Sequence, residues 1–242
     1  MSANADHTAS VTLFEEIWKA LIAKRGSNLR FPKEVLWLGG APGCGKGTHT
    51  ATIMRERGFT AGPVVMSDLL NTPEMKKIKD AGKLVGDREV IGILLETLLD
   101  PKFANGVVVD GFPRTRAQAR CIRLLFARIQ ELTKKANLPP TSFTMFVLMV
   151  SESEAVRRQL ERGERAKKQN EQVKATGKGQ LQELRSTDTD PEAARSRFKV
   201  FLEQSFDALE SLKDAFPFFQ ISSEGSIEQT TAAIKAAFAS KK

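Results

Sequence analysis

The chain has 242 residues, 41% of them hydrophobic and 27% charged, enough apolar material for a real core under an ordinary polar surface. Two cysteines, Cys44 and Cys121, cannot build a disulfide framework or a four-cysteine zinc site, and no apolar run reaches the ~20 residues that a membrane helix requires. A formal charge of +8 suits nucleic acid, an acidic membrane surface or a small polyanion; basic clusters beside phosphate-type motifs favour the small polyanion, so neither nucleic acid nor membrane is expected as a partner.

The opening MSANADHTAS is polar and carries Asp6, unlike a signal peptide, and Glu15 and Glu16 further weaken a mitochondrial leader. A cytoplasmic location is the default expectation, with organelle targeting left open. Over residues 9–25, Phe14, Ile17, Trp18, Leu21 and Ile22 recur at helical steps, and Ser10 or Thr12 could cap the start. Residues 1–30 thus read as a helical extension and linker that either packs on the main domain or binds a protein partner. The main domain would span 31–242, as a monomer.

Short apolar runs then alternate with helical patterns. Val35–Leu38, Pro63–Met66, Val107–Val109, Phe143–Val150 and Pro217–Ile221 read as strands. Helices are predicted over 46–57, near 68–82, and over 87–99, 116–136, about 152–162, 191–214 and 226–239. Strands separated by helices predict an α/β fold, with a five-stranded parallel sheet covered on both faces and ligands bound beyond the strands' carboxyl ends. Residues 163–184 are polar and lysine-rich without aromatics, which predicts a mobile lid or a disordered insert.

Gly39-Gly-Ala-Pro-Gly-Cys-Gly-Lys-Gly-Thr48 follows a strand and opens a helix. Gly40, Gly43, Gly45 and Gly47 would let consecutive N–H groups face one anion, the helix start adds its dipole, and Lys46 adds a full charge. The loop departs from the general phosphate-loop pattern, because Gly47 separates Lys46 from Thr48. Cys44 sits where N–H groups would favour a thiolate, or it fills a small steric slot. Asp110 ends an apolar strand, a suitable place for a Mg²⁺-holding carboxylate. Arg158 and Arg162 are four apart and share a helix face, with Arg157 and Arg165 leaving the register open by one turn.

GAPGCGKGT resembles the phosphate loop of the adenylate kinases and their nucleoside monophosphate kinase relatives. Val107-Val-Val-Asp-Gly-Phe-Pro-Arg-Thr115 with Gln118 is similar to the family's DGFPRT…Q segment, and Asp80-Ala-Gly-Lys-Leu-Val-Gly-Asp87 to its DAGxLVxD stretch. The resemblance covers roughly residues 34–240. It implies a three-layer P-loop fold, with a mobile acceptor-binding segment at about 67–100 and a lid at about 163–186. It further implies ATP and a nucleoside monophosphate as ligands, and Mg²⁺ held through water by Asp110.

On the donor side, the resemblance places Gly40, Gly43, Cys44, Gly45, Lys46, Gly47 and Thr48 on ATP phosphates. Arg158 would lie over the adenine and Arg162 on the phosphates. On the acceptor side, Arg114 would grip the phosphate and Gln118 read the base, with Gly111 and Val85 alongside; for Val85, packing of a helix end is the other reading. Arg185 and Arg197 would close over the group in flight, Arg197 matching better than Arg195. The family's zinc-bearing lid needs cysteines that residues 163–184 lack, so no structural zinc is expected.

One block departs from the family. Ser-Thr-Gly-Asp-x-x-Arg is here Val65-Met66-Ser67-Asp68-Leu69-Leu70-Asn71, so Met66 replaces a hydroxyl and Asn71 an arginine, unless Lys76 or Lys77 substitutes. The leading expectation is ATP plus AMP giving two ADP. UMP, CMP or another monophosphate as acceptor, or a nucleotide-binding regulator without turnover, are the alternatives.

Overall fold

Trp37 and Val35 of the first strand point into one apolar core and Leu36 and Leu38 into another, all at 0% exposure. A strand buried on both faces needs helices on both. The protein, seen in a computed structural model that describes residues 3–73, 75 and 86–239, is built that way. Strands β1 (Glu34–Gly40), β2 (Val64–Val65), β3 (Val107–Asp110), β4 (Ser142–Met149) and β5 (Phe218–Ser222) form one parallel sheet in the order β2-β3-β1-β4-β5.

The described helices are α1 (Ala3–Arg25), α2 (Lys46–Arg57), α3 (Met66–Leu69), α4 (Asp87–Leu98), α5 (Arg116–Lys135), α6 (Glu152–Thr176), α7 (Pro191–Val200), α8 (Asp207–Glu210) and α9 (Ile227–Ala239). One core joins residues of α1, α4, α5 and α8 to Trp37, Val109 and Phe143. The other joins Ile53 of α2, Phe198 of α7 and Ile234 and Phe238 of α9 to Leu36, Val108 and Phe146. The expected α/β class and three-layer sheet are the observed ones.

Several boundaries differ from the sequence pattern for physical reasons. Helix α1 begins at Ala3, so neither Ser10 nor Thr12 caps it; the Ser10 hydroxyl instead donates to the Asp6 carbonyl at 2.8 Å inside the helix. The helix packs on the main domain: Phe14, Ile17, Trp18 and Leu21 are buried in the shared core. Ion pairs Lys24–Glu96 and Arg88–Glu16 fasten it to α4, and Arg128–Glu15 to α5. β2 stops at Val65 because Met66 already opens α3. The helix expected over 191–214 is interrupted by a π-helical turn at Phe201–Phe206 and gives way after Glu210 to a turn that buries Leu212 and Phe216.

The largest correction concerns residues 163–184. Helix α6 does not stop near 162 but runs on to Thr176, ending at Gly177 with φ 66°. Lys, Gln, Glu and Ala are strong helix formers, and the pair Lys167–Glu164 at 2.9 Å adds local support. Beyond the helix the chain folds back, with Asn170 bracketing Gln182 through bonds of 2.6 and 2.9 Å to its N–H and carbonyl.

Candidate active site

The β1 register pairs Leu38 with Asp110, and the Gly111 N–H donates to the Leu38 carbonyl at 3.2 Å. Two chain segments therefore leave the sheet side by side at its carboxyl edge: the glycine loop after β1 and the Asp110–Thr115 segment after β3. This is where an α/β sheet binds ligands.

The loop is clamped from behind. Gly43 has φ 87°, and a Cβ there would collide with the Ala155 carbonyl of α6; a Cβ on Gly40 would meet Cys44 Sγ at 2.5 Å and the Leu148 carbonyl oxygen at 2.7 Å. Gly45, at φ 87°, precedes the first turn of α2. Gly47 differs: it lies within α2, and an added Cβ would touch nothing within 4 Å, so the curl of the loop does not depend on it. Thr48 is exposed on the same first turn. Cys44 is fully buried, and that burial pushes its thiol pKa up against the opposing Lys46 charge. It fills a steric slot against Gly40. The Lys46 ammonium donates to the Gly40 and Ala41 carbonyls at 2.6 and 3.2 Å, which holds its charge over the loop.

Asp110 is half-buried, and its Oδ1 is fully covered with no hydrogen-bond partner among the described residues. Burial raises its pKa, Lys46 and Arg114 oppose the rise, and Asp68 adds to it. A covered, unpartnered carboxylate oxygen beside an anion loop is costly unless something cationic or a donor completes it. That donor set suits a hydrated hard cation held through a single carboxylate.

The Arg114 side chain opens on the cleft, yet protein fills most of the space around it. This partial dehydration pulls its pKa down, with Arg185 adding and Asp110 opposing. Its Nε donates to the Gly111 carbonyl at 2.9 Å. Gly111 itself adopts φ 84°, the turn that presents this carbonyl. Arg197 is lowered in the same way, by burial first and then by the charges of Arg114, Arg185 and Arg162, with Asp188 opposing. Four guanidiniums thus cluster, and Arg114 among them shares Asp110 with Lys46.

Their support comes from Asp188, 2% exposed, which pairs with Arg162 and accepts from the Arg185 N–H at 3.2 Å. The Arg185 side chain also pairs with Glu183 at 3.2 Å. Arg195 pairs with Glu192 on the outer surface, so Arg197 is the arginine of that turn that joins the cluster.

Arg158 and Arg162 diverge in spite of their spacing. Arg158 bonds to Glu154 at 2.6 Å and reaches the Glu224 carbonyl at 3.3 Å. Its charge still bears on the phosphate loop, because, after burial, it is the Arg158 charge that lowers the pKa of His49, the residue beneath Gly45. Arg157 pairs with Glu154 and Glu161 on the solvent side.

On the acceptor side Met66 is 1% exposed in the core, so its thioether lies away from the position a hydroxyl would take in the cleft. Asp68 and Asn71 are exposed, joined by a 3.2 Å bond from the Asn71 N–H to the Asp68 carbonyl. Val85, Lys76 and Lys77 lie outside the described residues. Gln118 is 4% exposed, and both ends of its amide are engaged: Oε1 accepts from the Arg114 N–H at 2.7 Å, and Nε2 donates to Asp87 Oδ1 at 2.8 Å.

Two residues carry more of the site than the sequence reading gave them. Asp87 closes the DAGKLVGD block but had no role assigned. Gly163 was read as the start of a floppy insert; a Cβ there would collide with the Asp188 carbonyl, so it lets the arginine-bearing segment dock on α6. A glycine within a run of helix formers was the available signal.

Comparisons with known proteins show what this chain is similar to. A family profile described as "AAA domain" matches residues 39–175. The adenylate kinase of Xanthobacter autotrophicus is 31% identical over 202 residues, covering 81% of this chain and 93% of that protein. The adenylate kinase of Leptospira biflexa is 30% identical, covering 79% and 92%. That of Parabacteroides distasonis is 35% identical over 132 residues, covering 51% and 64%. Among solved structures, a gluconokinase from Sinorhizobium meliloti 1021 superposes with TM-score 0.48 at 17% identity, covering 88% of this chain and 94% of that one.

Proposed function

The chain belongs to the adenylate kinase family of P-loop kinases, and from that premise we propose that it reversibly transfers the γ-phosphoryl group of ATP to AMP, giving two ADP. The observation that carries this reading is the concentration of positive charge beside Asp110. Lys46 and Arg114 both bear on that carboxylate, and Arg114, Arg162, Arg185 and Arg197 lie near enough together for their charges to act on one another. These guanidiniums disfavour one another's charge, and a polyanion bridging the cleft relieves that cost.

Phosphoryl transfer needs little covalent assistance, so positioning and charge neutralisation suffice. The loop amides and Lys46 hold the donor's β- and γ-phosphates. Arg114 fixes the acceptor phosphate with a planar fork, which a lysine could not supply. Arg162, Arg185 and Arg197 neutralise the charge on the group in flight, and the chain that carries them excludes water. Asp110 would hold Mg²⁺, which would supply further charge neutralisation on the phosphates. Gln118 faces the acceptor's base.

A pyrimidine acceptor, UMP or CMP, is the second reading. It is favoured by Asn71, where the relatives' motif places an arginine, and by the withdrawal of Met66 into the core. A coupled ADP-production assay with ATP and AMP, CMP, UMP or GMP decides between them. AMP should give the highest kcat/KM. Preference for CMP or UMP would move the assignment to the second reading, and ATP binding without turnover on any acceptor would contradict both.

A further inference from the structure

Both hydrogen-bonding ends of the Gln118 side chain are tied to protein, and the ties are of opposite kind. Its Oε1 accepts from a backbone N–H, that of Arg114, at 2.7 Å. Its Nε2 donates to a carboxylate, Asp87 Oδ1, at 2.8 Å. The helix start adds a third fixture: Thr115 caps α5 by accepting from the Gln118 N–H at 3.1 Å, and its hydroxyl lies 3.4 Å from both Asp87 oxygens.

Reversing the amide would set the NH₂ against the Arg114 N–H and the carbonyl against the Asp87 carboxylate. Each is a pairing of like with like, inside a residue only 4% exposed. An amide's orientation is normally open to a flip; here the two partners remove the choice.

We propose that Asp87 is a positioning residue that locks the Gln118 amide in one orientation and thereby sets which class of base the acceptor site takes. This rests on the nucleoside monophosphate kinase reading above. The locked amide keeps a second N–H and a second lone pair, and their order is fixed. A base edge with a ring-nitrogen acceptor beside an amino donor, as in adenine, fits one order. An edge with a ring N–H beside a carbonyl, as in its 6-oxo counterpart hypoxanthine, needs the reverse. A site that merely contains a glutamine would read both by flipping; a site with Asp87 reads one.

Asp87 stands on the first turn of α4. The Arg88–Glu16 and Lys24–Glu96 pairs tie that helix to α1, so the extension braces the residue that holds the lock.

The test is steady-state kinetics with ATP and either AMP or inosine monophosphate. The proteins are the wild type, Asp87→Ala, Asp87→Ser and Asp87→Asn, with two shortening variants so that a folding failure in one leaves the other. Wild type should prefer AMP. Asp87→Ala and Asp87→Ser should cut the AMP-to-IMP ratio of kcat/KM by about ten-fold or more, while the KM for ATP stays put. This is the effect of one lost hydrogen bond to a charged group. Asp87→Asn, which still offers an acceptor oxygen to Nε2, should keep most of the ratio. An unchanged ratio in the shortened variants, or AMP and ATP KM values rising together, overturns the inference while leaving the kinase assignment standing. Absence of AMP turnover in the wild type overturns the assignment and the inference with it.

Discussion

The phosphate loop and the arginine cluster both aim positive charge at phosphate, but they are fastened in different ways. The loop is wedged by backbone: Gly43 lies against the Ala155 carbonyl, Gly40 against Leu148, and Cys44 is sealed beneath. In the cluster, side chains do the fastening: Asp188 pairs with Arg162 and accepts from the Arg185 N–H, Gly163 lets that turn approach α6, Arg114 is tied to the Gly111 carbonyl, and exposed pairs such as Arg185–Glu183 lie around them. Exposed ion pairs contribute little stability, so these outer pairs fix the arginines less firmly than the backbone wedge fixes the loop.

Four substitutions probe that contrast. Lys46→Met removes the one full charge in the loop and should lower kcat by about 10³-fold with the fold intact, read from initial rates and circular dichroism. A fall of only a few-fold would mean the loop amides alone hold the donor.

Gly163→Ala separates the two regions most sharply. In an exposed helix this change stabilises by about 1 kcal/mol, whereas here the Asp188 carbonyl occupies the space. The variant should lose about 10- to 100-fold in kcat through displacement of Arg185 and Asp188, with ATP binding near normal. A more stable, fully active enzyme would show that the docking is dispensable.

Asn71→Arg should restore a phosphate-gripping cation and lower the KM for AMP by several-fold, by analogy with other charge-assisted hydrogen bonds. No change would mean the site takes its acceptor without that contact.

The smallest effect concerns stability. Burial raises the Asp110 pKa above that of the unfolded chain. The group therefore contributes stability below the ordinary aspartate range, and that contribution is lost as pH rises through the raised value. Ligand-free Asp110→Asn should melt higher than wild type at pH 7, with the difference shrinking toward pH 4. A lower melting temperature at pH 7 would contradict the burial argument.

The sheet was legible because its signal is local. Five apolar runs with helical patterns between them leave few topologies, and β1's buried residues need two covering layers. The sequence also brought the glycine loop, Asp110 and Arg114 forward as candidates, the loop and Asp110 from their place at strand ends and the role of Arg114 from the family resemblance, and the structure sets Lys46 and Arg114 both beside Asp110. The continuation of α6 to Thr176 was missed because the absence of aromatics in 163–184 was weighed as disorder. Its Lys, Gln and Glu content, favourable to helix, and the single contact at Gly163 were not weighed against it. The parting of Arg158 from Arg162 and the Asp87–Gln118 bond depend on what the loop after β5, the 183–188 turn and α4 bring from far along the chain, and spacing on one helix carries no such information.

Titration calorimetry with a bisubstrate mimic, two adenosines joined through a phosphate chain long enough to span donor and acceptor, tests the central claim most directly. One mimic should bind per chain, at least ten-fold more tightly than ATP, and Arg114→Ala should abolish that advantage. Binding no tighter than ATP, and indifferent to Arg114, would mean that the clustered guanidiniums do not hold a second nucleotide.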